Sequence, residues 1–325
     1  MRIQKLSILY VALLISSCLV SEMAAHDQAS KKSEDNDLPV VKHLIDTHIH
    51  LYDPRRKDGV PWPPKDDKVL YKPHLPKEFA VVSKKAGVTG VVIVEASDRL
   101  NDNSWVLDLV KDNQLFVGLV GNINPFRTDF AKHLDKLAKD KRLVGLRARV
   151  QGRPIDYEDQ QVLKNFSELA QRGLTLDILM NGEGKETILR VEKVASKLPN
   201  LKIVVNHVLG YNIDGELPGI AWIDAVKKLS SHKNVYVKVS GLYQRCTTQP
   251  ATQDVEHYRE LLDILWNNFG EDRVIYGSNW PCTKKSGSYV SFVKLVNKYV
   301  KEKGQNACEK YFWKNASTAY GLGLK

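Results

Sequence analysis

One unit recurs through most of this 325-residue chain: an apolar, β-branched run of strand length, a short polar segment, and a longer stretch with helical spacing. Eight such units in a chain of this length predict an α/β fold, a closed (β/α)8 TIM barrel. The predicted strands are HLIDTHIH (43–50), VTGVVIVEAS (88–97), LFVGLVGNIN (115–124), LVGLRARV (143–150), LTLDILM (174–180), KIVVNHV (202–208), VYVKVSG (235–241) and VIYGSNW (274–280).

Helical spacing is clearest in three connecting stretches, at 78–87, 129–140 and 256–270, and two of them end in glycine, a common helix stop. An open, doubly wound sheet is the alternative fold. It is disfavoured because no glycine-rich phosphate-binding turn follows any predicted strand. The long, proline-rich segment 51–76 follows the first strand, so we expect it to lie over the mouth of the barrel.

The first 25 residues are expected to lie outside the fold. Arg2 and Lys5 form a positive n-region, an apolar run covers 6–20, and Ala24 and Ala25 supply a small-residue cleavage site. This pattern predicts a signal peptide and an exported protein, either periplasmic or secreted. The apolar run is too short and too weakly flanked to favour a helix that spans a membrane.

Two further features define the domain limits. The sequence ISSC at 15–18 resembles a lipoprotein processing box, in which case Cys18 would end the signal and carry a lipid anchor. The stretch 26–42 is polar and without periodicity, and we interpret it as a linker. The barrel is then predicted over 43–325. The sequence is compatible with a homo-oligomer and does not define one.

The composition is that of an ordinary globular protein with a basic surface. Its formal net charge is +10, but Lys and Arg are spread along the chain without a compact basic run, so we expect no nucleic-acid partner. Cys246, Cys282 and Cys308 have irregular spacing. This argues against a disulfide framework and a zinc–cysteine site, and predicts small buried side chains, with one disulfide left open.

The carboxyl ends of the strands form the active-site face of such a barrel, so the polar residues there are the candidates for the site. They are His48, His50, Glu95, Asn122, Asn124, Arg147, Arg149, His207, Lys238, Ser240, Ser278 and Asn279. Among them, Lys238 and Ser240 are candidates for substrate binding. Trp105 is a further candidate, and Trp62 and Trp280 are expected either to line the pocket or to pack in the core.

Three histidines are predicted to converge. His48 and His50 are two residues apart, so on a strand both point to one face, with Ile45 and Ile49 on the other. His207 ends the sixth strand. Converging imidazoles suit a metal such as Zn²⁺, and without a metal they can donate hydrogen bonds to a carbonyl oxygen.

The charged candidates leave two interpretations open. Glu95 ends an apolar strand, where an unpaired carboxylate would be costly. It is predicted either to pair with Arg147 or Arg149, or to act as a general base or join His48, His50 and His207 as a metal ligand. The two arginines either bind a substrate carboxylate bidentately or neutralise Glu95 and Asp177.

Four motifs together resemble one family. They are LIDTHIHLYDP (44–54), VVNHVLG (204–210), VYVKVSGL (235–242) and VIYGSNWP (274–281), and the likeness extends to NASTAYGL (315–322). They are similar to the amidohydrolase-2 branch of the amidohydrolase superfamily, and more narrowly to its sugar-lactonase and 2-pyrone-4,6-dicarboxylate-lactonase-like members. The resemblance implies a metallo-dependent hydrolase-like TIM barrel that hydrolyses a sugar-derived or carboxylated lactone. It also implies either no required cofactor or one divalent cation such as Zn²⁺.

The resemblance also assigns residues. By motif, His48 and His50 match the first-strand pair and His207 matches the sixth-strand histidine. Asn279 stands in place of the eighth-strand Asp of the family, which activates water or holds metal. The fourth-strand Lys or Glu and the fifth-strand His of the metal-dependent members are missing, which argues against a binuclear centre.

Asn279 narrows the mechanism because an amide has no basic lone pair near neutral pH. The base is then Glu95 or His207, or a metal generates hydroxide, or Asn279 positions the water while histidines polarise the carbonyl. His48 and His50 would stabilise the oxyanion. The alternatives are a metal-dependent decarboxylase of the same superfamily and a non-catalytic exported barrel that binds a carbohydrate or an acidic metabolite.

Overall fold

Eight parallel strands, paired in chain order, form the centre of the structure. The structure is a computed structural model that describes residues 37–150, 152–180 and 184–324, so the predicted signal peptide and most of the linker lie outside the described residues. The strands are β1 (Ile45–Ile49), β2 (Gly90–Val94), β3 (Phe116–Gly121), β4 (Leu143–Arg147), β5 (Thr175–Ile178), β6 (Ile203–Val205), β7 (Val235–Val239) and β8 (Val274–Tyr276). Each lies within one predicted strand, so the eight-strand prediction is confirmed with shorter bounds.

The first and last strands meet just beyond their carboxyl ends. The backbone N–H of Asn279 donates to the carbonyl oxygen of His48 at 2.8 Å, and that of His50 donates to the carbonyl oxygen of Trp280, also at 2.8 Å. Parallel strands whose main-chain groups all find partners in the ladder have no exposed edge. These bonds therefore close the sheet into the predicted barrel and bring the polar ends of β1 and β8 together.

Helices follow the strands and pack outside them. They are α1 (Pro76–Lys85), α2 (Leu100–Leu109), α3 (Phe130–Leu137), α4 (Gln160–Gln171), α5 (Gly184–Lys197), α6 (Ile220–Ser230), α7 (Leu242–Arg245), α8 (Glu256–Phe269), α9 (Tyr289–Lys301), α10 (Gln305–Glu309) and α11 (Asn315–Tyr320). In α3, buried Phe130, Leu134 and Leu137 recur at helical spacing and form one apolar face. The helix α4 begins where the side chain of Asp159 accepts the backbone N–H of Val162 at 2.9 Å.

An apolar cluster joins seven of the strands to the C-terminal helix. Its members are Ile45, Val92, Val94, Val120, Val144, Val204, Tyr236, Ile275, Trp313, Ala316, Ala319 and Tyr320. Ile45 therefore packs with residues from around the barrel, and its predicted place on the outer face was wrong. The reason is local, because the register between β1 and β2 shifts between Asp46 and Ile49, which breaks the strict alternation of side chains.

Two other expectations concern the described residues. Cys246, Cys282 and Cys308 are buried free thiols, as predicted. Of the helices in the described ranges, none has the length and apolar character needed to cross a bilayer.

Candidate active site

A cavity of about 350 Å³ lies at the carboxyl ends of the strands. It is lined by His50, Trp62, Leu70, Arg147, Arg149, Leu179, His207, Gly241, Gln244, Arg245, Asn279, Cys282 and Lys285. Five of the predicted site residues are among them. In the described part of the chain no Asp or Glu lines this cavity, whereas three arginines and one lysine do. The site therefore favours a ligand that carries or develops negative charge.

The loop between β1 and α1 covers part of this cavity, as predicted. Tyr52 and His74 hold the base of the loop together by exchanging main-chain hydrogen bonds of 3.1 and 2.9 Å. Farther along the loop, the ring of Trp62 lies edge-to-face against His50, with 5.4 Å between the ring centroids. Trp62 thus shields the imidazole of His50 from bulk water.

His50 presents a nitrogen lone pair to the cavity. Its Nδ1 lies 2.9 Å from the carbonyl oxygen of Val94. A carbonyl oxygen can only accept, so Nδ1 carries the proton. Burial, together with the positive charge of Arg147, lowers the pKa of His50 to about 3, and the ring is neutral at neutral pH. A neutral ring protonated on Nδ1 has a bare Nε2, which is able to accept a proton.

Asn279 lies next to that lone pair. Its side-chain amide approaches Nε2 of His50, with 3.3 Å between Nε2 and Oδ1. Two acceptors would face each other in that orientation, so the complementary arrangement turns the amide and directs Nδ2–H to the ring. Asn279 has φ of +61°, a left-handed conformation that Asn tolerates better than most residues. An Asp here could not donate to a neutral His50.

His207 begins an unusual turn after β6. His207, Val208 and Leu209 have φ of +55°, +47° and +57°, and Gly210 continues the left-handed turn. Each non-glycine residue in this conformation costs roughly 1–2 kcal/mol, and a β-branched valine is a clear outlier. The turn is buried, so surrounding packing holds it. Such strain is concentrated at functional sites, and here it directs His207 into the cavity.

The main-chain N–H and ring of His207 both contact Ser240, which follows β7. The Oγ atom of Ser240 accepts the backbone N–H of His207 at 3.1 Å and lies 3.0 Å from Nδ1 of the ring. Burial and the charge of Arg147 lower the pKa of His207 well below its usual range. Both imidazoles that line the cavity are therefore neutral.

The third histidine, His48, lies behind these two. Its ring centroid is 5.0 Å from that of His50 and 4.6 Å from that of His207. Nη1 of Arg147 lies 3.4 Å from Nε2 of His48, which must act as the acceptor. His48 is fully buried and does not line the cavity. Burial and the charge of Lys238 lower its pKa well below the usual range.

Glu95 forms the ion pair that was one of its two predicted roles. Its Oε1 accepts Nε–H of Arg147 at 2.7 Å, and its carbonyl oxygen accepts Nη2–H at 2.7 Å. Arg149 is more distant, with 3.7 Å between Nη1 and Oε2. Burial raises the pKa of Glu95, while the two guanidinium groups oppose that shift. Glu95 does not line the main cavity.

Three residues predicted to bind substrate do not line the cavity. Lys238 is fully buried, and its Nζ donates to Asp177 at 2.9 Å and to the carbonyl oxygen of Thr47 at 3.0 Å. Trp105 lies in a separate small crevice, where the guanidinium of Arg56 stacks 4.3 Å from its ring. Ser240 lies behind His207.

The residues present do not fit a divalent cation. Nε2 of His48 faces the guanidinium of Arg147, and the eighth strand supplies an amide instead of a carboxylate. Glu95, the fourth predicted ligand, pairs with Arg147. Within the described ranges, no three His, Cys, Asp or Glu side chains converge in a way that could hold a metal. Arg147 supplies positive charge beside the histidines.

The sequence-based prediction missed several lining residues. Gln244 and Arg245 belong to the short helix α7, and Cys282 and Lys285 follow β8. All four lie in the segments after strand ends, which was the available signal. Nζ of Lys285 pairs with Asp67 of the covering loop at 2.8 Å. Burial raises the pKa of Cys282 to about 12, so its thiol is a poor nucleophile.

Sugar lactonases are among the known proteins that this chain resembles in sequence. An L-fucono-1,5-lactonase of Burkholderia ambifaria is 28% identical over 248 residues, which cover 75% of this chain and 82% of the relative. An L-rhamnono-gamma-lactonase of Scheffersomyces stipitis is 23% identical over 287 residues, which cover 73% of this chain and 85% of the relative.

A solved structure and a family model match the chain as well. A crystal structure of an amidohydrolase from Burkholderia multivorans with bound zinc has a TM-score of 0.77 at 21% identity, and the match covers 86% of this chain and 99% of that chain. The model of amidohydrolase family 2, described as amidohydrolase, matches residues 45–322, a range that includes all eight strands. Because that match spans most of the sequence, the chain belongs to the amidohydrolase-2 family.

Proposed function

We propose that this protein is a hydrolase that opens a sugar-derived or carboxylated lactone by attack of water on the ring carbonyl. One observation carries the proposal: two neutral imidazoles, His50 and His207, share a cationic cavity with Asn279. Nε2 of His50 carries no proton, and it supplies the proton acceptor that Asn279 itself cannot be once a water takes the place of the Asn279 amide at that nitrogen. The similarity to two sugar lactonases supports the substrate class.

The proposed reaction uses His50 as the proton carrier. The water oxygen bonds to the carbonyl carbon while one water proton passes to Nε2 of His50. The ring C–O bond then breaks, and the departing ring oxygen takes that proton and becomes a hydroxyl group. The carboxyl group that results releases its proton to solvent. The amide of Asn279, which leaves Nε2 when the water binds there, orients that water.

The oxyanion that forms is stabilised from the other side of the site. His207 lines the cavity, and the guanidinium of Arg147 lies close enough to lower the pKa of His207. Donors and positive charge aimed at a developing oxyanion are worth most in a site that excludes water. His50 therefore takes the place of Glu95 and His207, the two predicted bases. Glu95 is paired with Arg147 behind the cavity, and His207 is assigned to the oxyanion. His48, which was predicted to stabilise the oxyanion, instead accepts a hydrogen bond from Arg147.

The charge of the cavity supports an anionic substrate or product. Arg147, Arg149, Arg245 and Lys285 line it, and every lactone becomes a carboxylate when its ring opens. A guanidinium binds a carboxylate bidentately where its geometry is fixed. Of the two predicted roles of the arginines, Arg147 neutralises Glu95, and Arg149 is better placed to contact substrate.

The proposed reaction needs no cofactor. The predicted alternative, a single Zn²⁺ held by His48, His50, Glu95 and His207, is disfavoured because Arg147 contacts both His48 and Glu95. Export, predicted from residues 1–25, remains part of the proposal. Fractionation of cells that produce the full chain tests it, since retention in the cytoplasm with residues 1–25 uncleaved would contradict export.

A lactone panel tests the function directly. Purified protein is mixed with neutral aldonolactones and with carboxylated lactones, and proton release is followed on a pH-stat. We expect turnover of at least one lactone and its loss in His50→Gln. Release of carbon dioxide from aromatic acids would instead favour the decarboxylase, and ligand binding without any turnover would favour the non-catalytic barrel.

A further inference from the structure

The contact between Ser240 and His207 determines which ring nitrogen faces the substrate. We propose that Ser240 is a positioning residue that holds His207 as the tautomer protonated on Nε2, so that His207 donates a hydrogen bond into the cavity. The tautomer assignment stands on its own, and its catalytic consequence rests on the proposed function. No chemistry is assigned to Ser240 itself, because its hydroxyl lies behind the imidazole.

The hydroxyl of Ser240 has two contacts, both with His207. It accepts the backbone N–H of His207 at 3.1 Å and lies 3.0 Å from Nδ1 of the same residue. Ser240 is fully buried. Among the described residues, no other hydrogen bond to this hydroxyl is found, so its proton must be accounted for within this pair.

One proton decides the tautomer. If Nδ1–H of His207 donated to Oγ, the hydroxyl proton of Ser240 would be buried without an acceptor. A buried polar hydrogen without a partner is costly and rare. If Oγ–H instead donates to Nδ1, every polar atom of the pair is used, and the proton of the neutral ring is on Nε2. Only the second arrangement satisfies both residues.

Gly241, the next residue, makes this contact sterically feasible. A Cβ atom built on Gly241 would lie 2.8 Å from Nδ1 of His207 and 3.3 Å from Cγ of the same ring. No real side chain tolerates the shorter of these contacts. Gly241 also has φ of +65°, which favours glycine. The pair Ser240-Gly241 therefore combines a hydrogen-bond donor with the space that lets the ring approach it.

The left-handed turn completes the arrangement from the side of His207. Three consecutive non-glycine residues with positive φ, beginning at His207, orient its backbone N–H toward Ser240 while its ring enters the cavity. With Nδ1 occupied, Nε2 is the nitrogen left for a ligand. An Nε2–H donor there would strengthen its hydrogen bond as a carbonyl oxygen becomes an oxyanion.

Nitrogen NMR tests the tautomer without any substrate. The full chain is labelled with ¹⁵N-histidine, and the signals of His207 are assigned by their loss in His207→Gln. We expect Nε2 of His207 to be protonated and Nδ1 to be bare. In Ser240→Ala the form protonated on Nδ1 should become populated, and Ser240→Thr, which keeps the hydroxyl, should restore the original form. A wild-type His207 protonated on Nδ1, or a spectrum unchanged in Ser240→Ala, would overturn the proposal.

Kinetics then measure the catalytic consequence. In Ser240→Ala, kcat for lactone hydrolysis should fall roughly tenfold to a hundredfold, the range found when the partner that orients a functional imidazole is removed. KM should change less than about twofold, because substrate contacts remain. Ser240→Thr should recover most of kcat. If the wild-type protein opens no lactone, the proposed function is wrong. The NMR experiment needs no substrate and still tests the tautomer of His207. An unchanged kcat in Ser240→Ala would overturn the positioning role.

Discussion

Two imidazoles reach the same cavity from local structures that differ in one respect. Beyond β1, Nδ1 of His50 contacts a main-chain carbonyl, the oxygen of Val94. Beyond β6, Nδ1 of His207 contacts a hydroxyl, that of Ser240. A carbonyl can only accept, whereas a hydroxyl already used as an acceptor is left to donate. The same residue type therefore exposes a lone pair on one side of the site and an N–H on the other.

This difference divides the chemistry of the proposed reaction. The β1–β8 side, with His50 and Asn279, handles the water and its proton, and the β6–β7 side, with His207 and Ser240, stabilises the oxyanion. Both histidines are neutral before the reaction begins, which agrees with the lowered pKa of each, and His50 becomes charged only while it carries the water proton. In the proposed reaction, a pair of imidazoles in opposite tautomers takes the roles of a carboxylate base and a metal ion.

Removal of the proton acceptor should have the largest effect. His50→Gln keeps a polar side chain of similar reach but cannot carry the proton, so kcat for lactone hydrolysis should fall roughly 10²–10⁴-fold. Initial rates on the best lactone of the panel measure this. His133→Gln is the matched control, since His133, on α3, does not line the cavity and contacts Asp129 and Arg127 in the segment before that helix. Equal activity of His50→Gln and the control would remove His50 from the mechanism.

Loss of the donor side should have the next largest effect. His207→Phe keeps an aromatic ring but removes Nε2–H, and kcat should drop by roughly 10²–10³-fold, as when one oxyanion donor is deleted. His207→Gln keeps an amide N–H and should retain more activity than His207→Phe. Comparison of kcat for the two variants is the measurement. The donor role is contradicted if the order is reversed.

Asn279→Asp should shift the pH dependence more than the maximal rate. A carboxylate beside Nε2 of His50 favours the imidazolium and raises the pKa of His50. Because the base acts only when it is unprotonated, the acidic limb of kcat/KM should move to higher pH. Profiles of kcat/KM from pH 4 to 9 would show this. Superimposable profiles for the variant and the wild type would mean that the two side chains do not interact.

The smallest expected effect is that of pH on the wild-type protein. With the pKa of His50 lowered to about 3, the base is already unprotonated at pH 5 and stays so as the pH rises. We therefore expect kcat/KM to be nearly constant between pH 5 and 8, and to fall only as the pH approaches the pKa of His50. An acidic limb near the ordinary pKa of histidine would show that the buried ring is less shielded than its surroundings indicate.

The barrel and most of the strand ends were predictable from the sequence. Periodicity located all eight strands. The rings of His48 and His50 lie close together, with 5.0 Å between their centroids, although the register shift in β1 breaks the alternation on which their predicted convergence was based. The distance of each side chain from the cavity, measured along its strand, was not predictable in the same way. Lys238 and Ser240 share a face, but they are separated by two residues, about 6.6 Å along the strand. That distance places Lys238 beside Asp177 and Ser240 against His207.

Features that depend on tertiary contacts were not visible in the sequence. VLG after His207 gives no sign of a left-handed turn, because valine and leucine intrinsically disfavour that conformation and only surrounding packing sustains it. The pairing of Glu95 with Arg147 was one of two open alternatives that residue types alone could not separate. The turn is defined by its backbone φ angles, and the ion pair by the distance between the two side chains.

Turnover in the absence of metal tests the central claim most directly. The purified full chain is treated with a chelator, its residual metal is measured, and lactone hydrolysis is followed before and after addition of Zn²⁺. We predict an unchanged kcat after chelation, without stoichiometric metal, and no gain on adding Zn²⁺. Activity that is lost on chelation and restored by Zn²⁺ would contradict hydrolysis by the two neutral histidines.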